Sequence, residues 1–125
     1  MKYLCMIFTD HTNPVELSDS EQLDLIDEHL AYDKELIRSG HFLSAQALQP
    51  NETATFVKVR SGKLSVTDGP FIETRDQLTG YFLIEAHDLN EAIQVAAKIP
   101  SARYGYVEIR PVRELLQERS NATTK

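Results

Sequence analysis

The sequence predicts an α+β domain in which one antiparallel sheet carries two helices on a single face. Three observations lead there. Strand-like and helix-like segments follow the order β-α-β, then a hairpin, then β-α-β. Two helix starts share one capping spacing, Ser18 to Glu21 and Asp88 to Glu91; at this spacing the first side chain caps the third helical N–H, and a Glu there can reach back. One strand segment, Lys2 to Phe8, is apolar on both alternating sets of side chains, and a second, Gly80 to Ala86, is apolar at most positions; such strands are covered on both faces.

Each element has its own signal. In Lys2 to Phe8, Tyr3, Cys5 and Ile7 alternate with Leu4, Met6 and Phe8. Ser18 opens a helix expected to reach about Ser39, where Gly40 supplies a left-handed stop. Phe42 to Leu48 reads as a second, less regular strand. Thr55 to Val59 and Lys63 to Thr67 flank Ser61-Gly62 as a hairpin. Asp68-Gly69-Pro70-Phe71 reads as a fixed turn, since Asp bonds nearby backbone and Pro restricts the residue before it. On that reading, loss of the Asp68 side chain costs about 1 kcal/mol. The second helix is expected from Asp88 to about Ile99, where Pro100 blocks it. Tyr106 to Val112 reads as the last strand. Residues 1–115 therefore form one domain, and residues 116–125 read as a disordered tail.

Two helices separated by antiparallel strands make the split β-α-β, ferredoxin-like arrangement, with the hairpin as an insertion. Its helices cover one sheet face only. A second copy of the sheet is the simplest cover for the other, so the expected assembly is a homodimer with sheets face to face.

Composition narrows function. The 125 residues are 42% hydrophobic and 26% charged, which suits a folded chain rather than a disordered one. Thirteen Lys and Arg against nineteen Asp and Glu give a net charge of −6, unsuited to gripping nucleic-acid phosphates. No apolar run approaches the ~20 residues needed to span a bilayer, and no basic segment followed by an apolar one reads as a signal peptide. With a single cysteine, Cys5, the expected setting is cytoplasmic, with no membrane and no nucleic-acid partner. No metal-ligand spacing and no glycine-rich phosphate loop is present, so neither a metal nor another cofactor is expected. Ser44, Ser65 and Ser101 lack a nucleophile-elbow motif.

The first helix holds the chemistry. On a wheel of about 100° per residue, Leu23, Ile26, Leu30 and Ile37 fall together, and Leu25, Tyr32 and Leu36 fall at the far edge of the same arc. Gln22, His29 and Asp33 lie between them. His29 and Asp33 are one turn apart and within reach of each other. A carboxylate beside an imidazole raises its pKa and fixes its tautomer, which makes a general acid or base. A structural pair at the core edge is the other reading. The two make opposite expectations: a wet cleft goes with a raised His29 pKa, a dry core with a lowered one. Asp10-His11, after the first strand, reads as a local turn, and His41 and His87 as exposed.

The stretch DGPFIETRDQLTGYF, residues 68–82, resembles the YCII-related, DGPF-domain proteins, whose signature is close to DGPF-x-E-T-K-E-x-L-x-G-[YF]. Arg75 stands at the usual Lys and Asp76 at the usual Glu. MKYL at 1–4, DLNEAIQVAA at 88–97 and EIRPV at 108–112 extend the resemblance over about residues 1–113. It implies a dimeric α+β barrel. It implies an active-site pair of a helix histidine, His29 here, and an aspartate, Asp68 first and Asp33 as the local alternative. It also implies association with extracytoplasmic-function sigma factors, and for one related enzyme a lyase reaction on a chlorinated ring lactone. The candidate catalytic residues are thus His29, Asp68 and Asp33. Arg75, Gln22, Tyr32 and Phe71 are the candidate ligand contacts, with Arg75 suited to a carboxylate. Two functions follow: a cofactor-independent lyase, isomerase or hydrolase on a small molecule, or a non-catalytic ligand-binding module tied to transcription control.

Overall fold

The computed structural model describes residues 1–69 and 75–123. Its strands are β1 (Lys2–Thr9), β2 (Phe42–Ala47), β3 (Thr55–Arg60), β4 (Lys63–Asp68), β5 (Leu78–Glu85) and β6 (Gly105–Pro111). Its α-helices are α1 (Asp19–Arg38), α2 (Leu89–Ala97) and α3 (Leu115–Thr123). Short 3-10 turns cover Asn51–Thr53 and Pro100–Tyr104.

The main sheet has the order β2-β5-β1-β6 with every neighbouring pair antiparallel. β1 and β2 therefore run parallel with β5 between them, which is the split β-α-β, ferredoxin-like fold. The hairpin β3–β4 forms a separate two-stranded sheet. Ser61 at φ 51° and Gly62 at φ 76° make its two-residue turn, a left-handed pair that matches strand twist.

Helix starts follow the sequence signals closely. The Ser18 side chain accepts from the Glu21 amide at 3.2 Å, and the Glu21 carboxylate accepts from the Ser18 amide at 3.0 Å. Asp88 caps α2 by accepting from the Glu91 amide at 2.9 Å. After α1, Gly40 at φ 79° lets the His41 amide turn back to the Leu36 carbonyl at 2.9 Å.

Register sorts the side chains. Tyr3, Cys5 and Ile7 of β1 pair with Ile84, Phe82 and Gly80 of β5, and all but Gly80 place side chains in the core under the helices. Tyr32 and Leu36 of α1 and Ala92, Val95 and Ala96 of α2 close that core. The Tyr32 hydroxyl donates to the Val95 carbonyl at 2.6 Å, joining the two helices. Leu4, Met6 and Phe8 share the other sheet face with Leu83 and Tyr81.

The structure departs from the sequence expectation in three places. On α1 the buried residues are Tyr32 and Leu36, the far edge of the apolar arc, while Leu23, Ile26, Leu30 and Ile37 are 53–63% exposed. The wheel contained two apolar stripes, and packing of Tyr32 and Leu36 into the core with Phe82 and Ile84 buried theirs. The strand read from Gly80 to Ala86 begins two residues earlier, with Leu78 and Thr79 already in β5. Residues 116–125 were expected to be disordered, but α3 forms over Leu115–Thr123 without burying any residue. Local bonds hold it: Arg113 grips Glu118 with two hydrogen bonds of 3.1 Å, and Gln117 donates to Asn121 at 3.0 Å. Such a helix has no apolar face to announce it. No helix among the described residues is long and apolar enough to cross a membrane.

Candidate functional site

α1 lies across β5 and β2 and leaves a cleft of about 380 Å³ beside His29. Leu25, Ile26 and Leu30 of α1, Ile7 of β1 and Phe82 of β5 give it an apolar wall. His29, Asp33, Thr79 and Ser101 bring polar groups to it. An apolar hollow with a few converging polar groups is the usual form of a small-molecule site.

Its floor depends on a close approach of strands. A Cβ at Gly80 would lie 2.8 Å from the Gln46 carbonyl oxygen, so only glycine lets β5 sit this near β2. Beside it the β1–β5 register slips, with Ile7 opposite Gly80 and Phe8 opposite Leu78. The extra residue is Thr79, and its hydroxyl donates to the Ile7 carbonyl at 3.2 Å. Bulges commonly re-aim a side chain in this way.

The His29 ring stacks on Phe82, centroids 6.0 Å apart, and its Nε2 lies 3.0 Å from the Ser101 hydroxyl. Burial lowers the His29 pKa below its ordinary value; the charges of Asp33 and Glu28 oppose this, and Arg103 adds to it. Asp33 shows the converse. Burial raises its carboxyl pKa, with His29 pulling the other way. Its Oδ1 is buried with no hydrogen-bond partner. The cleft and a lowered imidazole pKa occur together here. His29 and Asp33 interact through charge without a hydrogen bond, so desolvation against Phe82 prevails. At neutral pH the ring is neutral and able to take a proton.

A second hollow, about 510 Å³, shares Ile7, Leu25, Thr79 and Ser101 with the first. Arg75, Asp10 and His11 line it. Asp76 shapes its neighbourhood, accepting from the His11 amide at 2.8 Å and from the Tyr106 hydroxyl at 2.6 Å, and pairing with the His11 ring.

The remaining sequence candidates lie elsewhere. Tyr32 is in the core with its hydroxyl committed to Val95, and it does not line either hollow. Gln22 is exposed, its amide donating to the Leu17 carbonyl at 3.2 Å. Asp68 is exposed at the end of β4, 3.5 Å from the Thr55 hydroxyl, and lines neither hollow. Phe71 lies outside the described residues. His41 is partly buried and bonds Glu91 at 2.7 Å rather than standing free in solvent. Among the described residues, no group of three or more His, Cys, Asp or Glu is placed to hold a metal ion.

Sequence reasoning missed Thr79 and Ser101. The DGPF-to-GYF spacing brackets Thr79 but does not announce a bulge. Ser101 follows the helix-stopping Pro100, and a residue 72 positions from His29 carries no local sign of meeting it.

The family model of the YCII-related domain matches residues 1–116 of the chain. An uncharacterised protein of Rhizobium meliloti (strain 1021) is 28% identical over 114 residues, covering 90% of this chain and 92% of that protein.

Proposed function

The chain belongs to the YCII-related domain family, and from the cleft beside His29 we propose that it is a cofactor-independent enzyme acting on a small, largely apolar molecule. His29 is the proton acceptor and donor, and Asp33 the charge that supports its protonated form during turnover. Arg75, on the adjoining hollow, takes a substrate carboxylate. Lyase, isomerase and hydrolase chemistry all fit this arrangement. One observation carries the reading: a half-buried, neutral imidazole opens onto an apolar hollow next to a carboxylate oxygen that no protein group satisfies. An unpartnered buried acceptor is costly, and a ligand donor there would relieve it.

The functional unit in this proposal is a homodimer in the cytoplasm. The sheet face away from the helix-covered core, which bears the half-buried Leu4, Met6, Phe8 and Leu83, supports the dimer. The lone Cys5 is a buried free thiol, consistent with a reducing setting. The exposed α1 stripe of Leu23, Ile26, Leu30 and Ile37 supports a second reading, a non-catalytic module that docks a transcription component such as a sigma factor.

Carboxylate-bearing unsaturated lactones, incubated with the protein in D2O, separate the two. Ring opening or deuterium uptake in wild type, lost in His29→Asn, is the expected result. Lactones that are neither consumed nor exchanged, and that leave the His29 ring signals unmoved, would contradict the enzyme reading.

A further inference from the structure

We propose that Ser101 is a nucleophile for acyl transfer, activated by His29 across the wall of the cleft. The proposal deepens the reading above, since it rests on His29 as proton acceptor and selects esters and lactones as the substrate class. The contact is direct, with 3.0 Å between His29 Nε2 and the Ser101 hydroxyl. A nucleophile and a base within hydrogen-bond reach, beside a hollow that admits a substrate, are two of the parts such chemistry uses.

Both side chains are fixed from behind. Ser101 is the second residue of the 3-10 turn Pro100–Tyr104, after the buried Pro100 and Ile99. The Ala102 amide donates to the Ile99 carbonyl at 3.0 Å, and Arg103 pairs with Glu28 of α1. This turn is therefore tied to the helix that bears His29. Phe82 stacks on the imidazole from the sheet side. Ser101 also lines both hollows, so an acyl group on its oxygen has room on either side.

The steps balance without a cofactor. The Ser101 oxygen bonds to the carbonyl carbon as its proton passes to His29 Nε2. The carbon–oxygen bond to the leaving alcohol then breaks, and His29 returns the proton to that oxygen; in a lactone the ring opens. Water attacks the resulting acyl-serine, His29 takes the water proton, and Ser101 leaves with it. The sum is ester plus water giving acid plus alcohol. The charged groups around His29 are Asp33 and Glu28 from its own helix and Arg103 from the 3-10 turn, while the sheet presents the uncharged Phe82.

An alkyl fluorophosphonate tests this on the full chain, with mass spectrometry reading the site. The expected result is a single adduct on Ser101, formed with loss of fluoride, faster at pH 8 than at pH 5. Ser101→Ala should take no label, and His29→Asn should be slowed about 100-fold or more. Ser44 and Ser65 serve as internal references and should stay unlabelled. No preference for Ser101 in wild type, or an equal rate in a folded His29→Asn, overturns the proposal. Lactone turnover without a Ser101 adduct overturns the nucleophile and leaves the His29 reading standing; absence of both overturns the two together.

Discussion

The Tyr106 hydroxyl donates to Asp76 at 2.6 Å and so fastens the segment entering β5 to the start of β6. Asp76 also receives the His11 amide, and these bonds hold its carboxyl down to about 2, the His11 backbone bond contributing most. Tyr106 is in turn pushed up to about 12, chiefly by the same bond. The folded state binds the Asp76 proton more weakly than the unfolded chain, so the stabilisation is present above about pH 4 and is lost as pH falls toward 2. Thermal melts should show Asp76→Asn losing less stability than wild type over that window. Identical acid sensitivity in the two proteins would contradict the role given to Asp76.

Asp68 and Gly69 should differ in cost. Asp68 is exposed with one long contact, so Asp68→Ala should change stability by less than about 0.5 kcal/mol. This is below the ~1 kcal/mol expected from turn chemistry alone. Gly69 donates to the Ala54 carbonyl at 2.7 Å, and a Cβ there would meet Phe56 at 3.0 Å. Gly69→Ala should therefore destabilise more than Asp68→Ala in urea unfolding; the reverse order would return the turn to Asp68.

Tyr32 was a ligand candidate in the sequence and is a core residue in the fold. Tyr32→Phe should cost on the order of 1 kcal/mol through the lost bond to Val95, with lactone affinity unchanged. Weaker binding at full stability would reverse the assignment.

Cys5 is fully buried, and burial pushes its thiol up to about 11. A disulfide reagent at pH 8 should leave it unmodified in native protein and react on unfolding. Fast native labelling would mean that β1 opens readily.

Much of this architecture was legible. Capping pairs such as Ser18–Glu21, the Ser61-Gly62 turn and two-faced strands are local signals, and each maps to one backbone geometry. The site was half legible. His29 and Asp33 could be placed on one helical arc, but a wheel cannot say which of two apolar stripes meets the sheet. That choice decides whether His29 sits in the core or at its edge, and it is made by Tyr32 and Leu36 packing on β5. Thr79 depends on a register slip and Ser101 on a long-range contact, and neither leaves a pattern within its own segment. Asp68, prominent in the DGPF stretch, proved to sit on the separate hairpin.

The proposed chemistry requires His29 to be a neutral, partly desolvated base whose protonated form leans on Asp33. NMR titration of its ring signals in wild type and Asp33→Asn tests this most directly. The wild-type pKa should lie below the ordinary 6.5, because burial outweighs the carboxylate, and should fall further in Asp33→Asn, because the opposing charge is gone. A wild-type value at or above 6.5, or one that Asp33→Asn leaves unchanged, would contradict it.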